Sequence, residues 1–241
     1  MPRGRRRTQG VRAIGNGLPL SELARLRQAA YRLFGSVLLY PDEEWVTTLP
    51  GVADGLLAES RALSRFPFWD RESQFLAALR RLDPGEQPAL EAAYVATFVT
   101  GADNGPCHPY ESAYHPPDAT AWVLAELDRN YAEGGFSVAP SFHEPPDHAA
   151  VELEFMGLLC GEEAAAWERS DLAEALVRLE RQAGFLDRHL ARWFPELARR
   201  AGEPERDAFY RLATDAACAV IAHDLEIVNT LVRHYREVDR R

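Results

Sequence analysis

The segment His-Glu-Pro-Pro-Asp-His, which begins at His143, has the residue types of a metal-dependent hydrolase. In zinc proteases, two histidines four residues apart on one helix bind the metal and a glutamate acts as general base. Here His143 and His148 are five residues apart, about 140° around a helix, and Pro145 and Pro146 prevent a continuous helix between them. The sequence therefore predicts no metal site. A metal- or nucleotide-dependent hydrolase that uses His143, Glu144 and His148 is kept as the alternative hypothesis.

An acidic residue follows this segment on the expected apolar face of a helix. If the helix has Pro146 and Asp147 in its first turn, Glu152 lies in the middle of the apolar stripe. A carboxylate there costs on the order of several kcal/mol unless it is paired or hydrogen-bonded. We expect Glu152 to be a buried structural acid, partnered by His148 or by an arginine of the first helix, with a functional role for its charge as the alternative. Asp147 is expected to be exposed, while His148 fits a core residue and a binding residue equally well.

Aromatic rings, an acid and hydroxyl groups are concentrated in the segment 106–114, Pro-Cys-His-Pro-Tyr-Glu-Ser-Ala-Tyr. Such a mixture is typical of peptide-recognition surfaces, where tyrosine offers contact area and a polar tip. The carboxylate of Glu111 could accept both N–H groups of a guanidinium. Alternatively, Tyr110 and Tyr114 attach the loop to the core, and the two interpretations are compatible.

Helical periodicity dominates the chain, and strand-like alternation is nearly absent. We therefore predict an all-α fold, a single compact multi-helix domain over 19–241 that follows a disordered basic tail over 1–18. Two Pro-rich loops, 100–117 and 138–146, interrupt the helices, and loops of this length are commonly functional. Pro195 is expected to end the penultimate helix. The predicted helices are 21–40, 42–48, 52–60, 70–82, 84–98, 118–133, 147–168, 171–194 and 204–238.

Charge is distributed unevenly along the sequence. There are 27 basic residues, all of them arginine, against 37 acidic ones, a net charge of −10. Residues 1–12 hold five arginines and no acid, which leaves 22 arginines against 37 acids, or −15, for residues 13–241. Such a body repels phosphate backbones and anionic lipids and favours a cationic partner. We therefore expect no nucleic-acid partner. No apolar run approaches the roughly 18 residues needed to cross a bilayer, so we expect no stable membrane insertion. Three cysteines cannot all pair and show no Cys-x-x-Cys spacing, which fits a reducing cytoplasm best.

Three motifs in a fixed order resemble the TorD/DmsD/NarJ family of redox-enzyme maturation chaperones. The first is Tyr94 and Phe98 ahead of the Pro-x-x-Pro-Tyr-Glu-Ser-x-Tyr loop at 106–114. Glu-Pro-Pro-Asp-His at 144–148 follows, and then Glu-Leu-Glu-Phe-Met at 152–156. Their order and their intervening lengths both agree with the family.

The resemblance extends from about residue 22 to 235 and implies a TorD-like fold and a chaperone function without catalysis. A chaperone of this kind binds the twin-arginine leader and the apoprotein of a molybdenum-containing oxidoreductase in the cytoplasm, and delays export until the cofactor is inserted. The family also implies a monomer or a domain-swapped dimer, no cofactor, and possible weak binding of guanine nucleotide. A purely structural helical scaffold is the third hypothesis. The implied peptide-binding residues are Pro109, Tyr110, Glu111, Ser112, Tyr114, Glu144, Pro145, Pro146, Asp147 and His148.

Overall fold

The structure, a computed structural model, describes residues 13–14, 18–59, 69–101, 106–139, 142–203 and 206–239. Helices account for most of these residues, which confirms the all-α prediction. The only strand pairing within the described ranges is a two-residue antiparallel ribbon, Ala13–Ile14 with Leu18–Pro19. Most of the predicted tail over 1–18 lies outside the described residues, so its boundary stays a prediction.

Nine α-helices are present in the described ranges, and four short turns of other helix types lie between the third and the fifth of them. Single 3₁₀ turns cover Pro84–Glu86, Glu111–Tyr114 and Pro117–Ala119, and a π turn covers Val95–Val99. The α-helices are α1 Leu20–Val37, α2 Glu43–Glu59, α3 Trp69–Leu79, α4 Gln87–Tyr94, α5 Thr120–Glu133, α6 Ala149–Glu168, α7 Leu172–Arg188, α8 Leu190–Ala201 and α9 Ala208–Asp239.

Helix α6 lies at the centre of the fold because it is apolar on nearly every side. It packs against α1 and α7, and α9 packs against α3, α7 and α8. A Cβ atom on Gly35 of α1 would lie 3.3 Å from the carbonyl oxygen of Ala150, so glycine lets α1 approach the start of α6 closely. The central position of α6 fixes its first turn, where the sequence motif lies, against the rest of the core.

Two prolines lie inside helices rather than at their ends. The prediction of two short helices, 42–48 and 52–60, is wrong, because α2 continues through Pro50. The expectation that Pro195 ends a helix is also wrong, since the chain breaks at His189 and α8 continues through Pro195. In both helices apolar residues on either side of the proline are buried on one face, and that burial outweighs the lost backbone hydrogen bond.

The segment predicted as one helix over 84–98 also differs from expectation. It is divided into a 3₁₀ turn, α4 and the π turn. The backbone N–H of Cys107 donates to the carbonyl of Thr97 at 2.9 Å, so the π turn anchors the start of the first Pro-rich loop. This contact sets where the loop leaves the helical core.

Candidate functional site

The two Pro-rich loops meet side by side at the start of α6. The N–H of Glu111 donates to the carbonyl of Asp147 at 2.9 Å, and the N–H of Ala149 donates to the carbonyl of Pro109 at 2.7 Å. These two bonds form an isolated antiparallel β-bridge between the loops. The structure thus brings together the two segments that the sequence analysis selected. Ser112 and Asp147, which are hydrogen-bonded across them, are 35 residues apart in the sequence.

His148 is the N-cap of α6. Its Nδ1 accepts a hydrogen bond from the N–H of Ala150 at 3.1 Å, so the helix begins at Ala149 and not, as expected, around Pro146 and Asp147. The ring is fully buried and lies edge-on to the ring of Tyr110, with centroids 5.1 Å apart. Burial lowers the pKa of His148 to about 4, and the ring is neutral at pH 7. Its buried Nε2 has no hydrogen-bond partner among the described residues.

Asp147 is buried, and the expectation that it would be exposed is wrong. Only 2% of the residue is accessible, and its Oδ2 accepts the backbone N–H of Ser112 at 3.1 Å. The carboxylate therefore stabilises the 3₁₀ turn of the opposite loop. The side chain turns inward because the backbone N–H of Ser112, at the start of that turn, needs an acceptor. A helix-start pattern in the sequence does not reveal this long-range contact.

Glu111 also points into the protein. Its carboxylate lies 2.9 and 3.2 Å from Nδ1 of His189 and 3.3 Å from Nε2 of His115. Both Glu111 and His189 are 1% exposed. The acid therefore connects the first loop to the junction of α7 and α8, and its carboxylate faces the interior rather than the surface.

Glu152 is the buried structural acid that helix periodicity predicts, although its predicted partners are wrong. Oε2 accepts the indole N–H of Trp193 at 3.1 Å, while Oε1 has no partner among the described residues. Burial, together with the nearby negative charges of Glu111 and Asp147, raises the pKa of Glu152 well above its usual range. Both causes favour the uncharged form of the Glu152 carboxyl.

Above this buried cluster lies an open groove of about 530 Å³. One wall is the turn that carries Ser112 and His115, and the other is α5 with Thr120 and Leu124. The hydroxyl of Tyr110 donates to Oε2 of Glu144 at 2.7 Å, which places an acid at the rim. The lining residues are Tyr110, Ser112, Ala113, His115, Pro117, Thr120, Leu124, Pro145 and Asp147.

The other predicted site residues support the groove from outside. Tyr114 stacks on Trp193 with ring centroids 5.3 Å apart, and the guanidinium of Arg200 lies 5.5 Å from the Tyr114 ring centroid. Pro146 accepts the hydroxyl of Tyr131 at 2.7 Å through its carbonyl. Tyr114 therefore attaches the loop to the core, as the alternative interpretation of the sequence proposed. Sequence analysis missed Trp193 and His189, which no local motif marks.

The residues of the hydrolase hypothesis do not form a common centre. His143 is exposed, Glu144 is bonded to Tyr110, and Nδ1 of His148 is used as a helix cap. In the described part of the chain, no group of three or more His, Cys, Asp or Glu side chains is arranged to hold a metal ion. No helix there is both long and apolar enough to cross a bilayer.

Comparison with known proteins identifies the relatives of this chain. Residues 68–199 match the family described as nitrate reductase delta subunit. A selenate reductase assembly chaperone protein from Thauera selenatis is 36% identical over 153 residues, 62% of this chain and 76% of the relative. Chaperone protein TorD from Vibrio cholerae is 27% identical over 196 residues, 80% of this chain and 83% of the relative. A redox enzyme maturation protein of known structure from Archaeoglobus fulgidus aligns with 84% of this chain and 93% of its own, at 20% identity and a TM-score of 0.47.

The all-α fold, the family match and the two relatives compared by sequence define the class as a chaperone rather than an enzyme, and the hydrolase alternative is set aside. The chain belongs to the TorD/NarJ family of redox-enzyme maturation chaperones, whose matched region contains both Pro-rich loops. The family prediction made from the three motifs is confirmed.

Proposed function

We propose that this chain is a cytoplasmic chaperone for a molybdenum-containing oxidoreductase. It binds the twin-arginine leader and the apoprotein of that enzyme, assists cofactor insertion and delays export. It acts without a bound cofactor of its own. Weak binding of guanine nucleotide, and the choice between a monomer and a domain-swapped dimer, stay predictions of the family resemblance.

The groove between the Pro-rich loops and α5 is the observation that supports this proposal. Its walls combine apolar surface from Leu124, Pro117 and Pro145 with the polar tip of Tyr110. A leader peptide carries an apolar stretch after its arginines, and this mixed surface suits both parts. The aromatic and proline residues are held by backbone and side-chain bonds before any ligand arrives, which lowers the ordering cost of binding.

Negative charge in and beneath the groove favours the arginines of a leader. Glu144 lies half-buried at the rim, and Asp147 lies in the groove lining. The −15 charge of residues 13–241 adds long-range attraction for a cationic peptide. In this proposal Glu144 receives a leader guanidinium directly, while the buried Asp147 contributes through its electric field.

Titration with a synthetic twin-arginine leader peptide tests the proposal. We expect saturable binding that weakens at least about tenfold when both arginines are replaced by glutamine, because the charged contacts are lost. Glu144→Gln keeps an acceptor for Tyr110 and should weaken binding about two- to fivefold. Glu43→Gln, the same charge change on an exposed residue of α2, is the matched control. Absence of binding, or equal affinity for the neutral peptide, contradicts the proposal.

A further inference from the structure

His189 lies at the break between α7 and α8, about 78 residues after the loop it contacts. We propose that His189 is a positioning residue that holds the two walls of the groove together. The loop wall is the segment 110–115, and the helix wall is the groove-facing side of α5. Its effect on ligand binding rests on the proposed function, whereas its effect on the two walls does not.

The contact with the loop wall runs through Glu111. Nδ1 of His189 lies 2.9 Å from Oε2 and 3.2 Å from Oε1 of that carboxylate. Glu111 begins the 3₁₀ turn whose next residues, Ser112 and Ala113, line the groove. Because a carboxylate accepts hydrogen bonds, the geometry places the proton on Nδ1.

The contact with the helix wall runs through Asn130. Nε2 of His189 lies 3.5 Å from Nδ2 of Asn130, and the amide oxygen of Asn130 accepts from Nη2 of Arg188 at 3.3 Å. Asn130 belongs to α5, the helix that supplies Thr120 and Leu124 to the groove. With the proton on Nδ1, Nε2 can accept from the Asn130 amide, so one ring bonds to both walls.

The backbone and the packing around His189 fix the ring in this position. The backbone N–H of His189 donates to the carbonyl of Phe185 at 2.9 Å, and the backbone carbonyl of His189 accepts the N–H of Arg192 at 2.8 Å. The ring lies 4.9 Å from the ring of Phe185, centroid to centroid. Because the ring is fixed, its two hydrogen bonds hold Glu111 and Asn130 in defined positions. A side chain that only fills space would not do this.

Histidine suits this position because its two nitrogens lie on different sides of one rigid ring. Asparagine places an amide near the position of Nδ1 and would keep the bond to Glu111 while losing the bond to Asn130. Glutamine reaches toward the position of Nε2 and would keep Asn130 while leaving the buried carboxylate of Glu111 without its main donor. His189→Asn and His189→Gln therefore separate the two contacts.

Amide hydrogen exchange of the full chain without peptide is the first measurement. We expect His189→Gln to speed exchange of the Ser112 and Glu111 amides at least about tenfold, since these amides report local opening of the loop wall. In His189→Asn, the Ser112 and Glu111 amides should exchange more slowly than they do in His189→Gln. The amides of α5 around Asn130 should exchange faster in His189→Asn than in the wild type. Gln182→Ala, which removes a buried polar side chain from α7, is the control for general loss of stability.

The second measurement is the affinity of each variant for the leader peptide, well below the unfolding temperature. We expect a loss of about tenfold for His189→Gln, a smaller loss for His189→Asn and no change for Gln182→Ala. If His189→Gln speeds exchange no more than Gln182→Ala does at equal stability, His189 is an ordinary core residue and the inference is wrong. If the wild-type chain binds no leader but the exchange pattern appears, the proposed function fails and the positioning role stands.

Discussion

Two buried polar clusters differ in how completely their hydrogen bonds are satisfied. The Arg27 cluster joins α1, α6, α7 and α9 through Arg27, Glu163, Gln182 and Asp224. Arg27 donates to all three of the other side chains, and Tyr31 adds a bond to Asp224 at 2.7 Å. Among the described residues, none of these five side chains has a buried polar atom without a partner.

The groove cluster lies beneath the loops and consists of Glu111, Asp147, His148, Glu152 and His189. It leaves Nε2 of His148 and Oε1 of Glu152 without partners among the described residues. A buried unsatisfied group costs about 1–3 kcal/mol, and natural proteins accept such costs mainly where function requires them. The comparison therefore assigns the Arg27 cluster to stability and the groove cluster to the shape of the groove.

Removal of Arg27 should have the largest effect on stability. Arg27→Met leaves Glu163 and Asp224 buried without their cation, and we expect the free energy of unfolding to fall by about 3–5 kcal/mol. Arg25→Met is the matched control, because Arg25 forms an exposed pair with Glu168 and should cost less than about 1 kcal/mol. Urea unfolding measures both. Similar losses for the two variants would mean that the Arg27 cluster is not a structural clamp.

The pH dependence of stability should show that the His148 ring is held neutral in the folded chain. Burial lowers its pKa from the ordinary 6.5 to about 4, so between these values the His148 ring binds a proton less often in the folded chain than in the unfolded chain. Stability contributed by the neutral ring is thus present above pH 6.5 and is lost as the pH falls toward 4. The effect is on the order of 3 kcal/mol in total, at about 1.4 kcal/mol per pH unit.

His148→Asn tests this assignment, since asparagine caps a helix well but does not titrate. We expect the free energy of unfolding of the wild type, relative to that of the variant, to rise as the pH increases from 4 to 6.5, because this difference isolates His148 from buried acids such as Glu152, whose raised pKa acts in the opposite direction. Denaturant unfolding at several pH values measures the difference. Parallel profiles for the two proteins would show that His148 is not held neutral by its surroundings.

Trp193 should contribute less to stability than Arg27 or His148, because it adds a single buried hydrogen bond. Trp193→Phe keeps an aromatic ring against Tyr114 but removes the indole N–H that Oε2 of Glu152 accepts. We expect a loss of about 1–3 kcal/mol in the free energy of unfolding. Trp122→Phe on α5, where the side chain is 58% exposed, is the control and should change stability by less than about 0.5 kcal/mol. Equal effects of the two variants would contradict the role given to the buried indole.

How much of this could be read from the sequence depends on the range of each interaction. The apolar stripe around Glu152 repeats every turn of one helix, and that local periodicity predicts its burial correctly. Its partner Trp193 lies 41 residues away on another helix, and His189 lies 78 residues from Glu111. No local pattern encodes such pairings, because they depend on how separate helices pack.

Local rules also fail where tertiary burial outweighs them. Pro50 and Pro195 both carry a strong local signal for helix termination, yet each lies within a helix whose apolar face is buried. The motif at 144–148 is placed correctly beside the loop at 106–114, but Asp147 turns inward because an N–H of the opposite loop lies within reach. The family resemblance thus groups two segments that do lie together, while side-chain direction follows from packing.

The same substitution in the two clusters should change stability by different amounts, and the effect expected in the groove cluster is the smallest. Burial and nearby negative charge favour the uncharged form of Glu152, and glutamine keeps its shape and an acceptor for the indole N–H of Trp193, so Glu152→Gln should change stability by less than about 1 kcal/mol. Glu163→Gln removes a charge that Arg27 requires and should cost about 1.5–3 kcal/mol. Urea unfolding at pH 7 compares them. A loss for Glu152→Gln as large as that for Glu163→Gln would show that Glu152 is ionised, and the groove cluster would then be a charged clamp like the other.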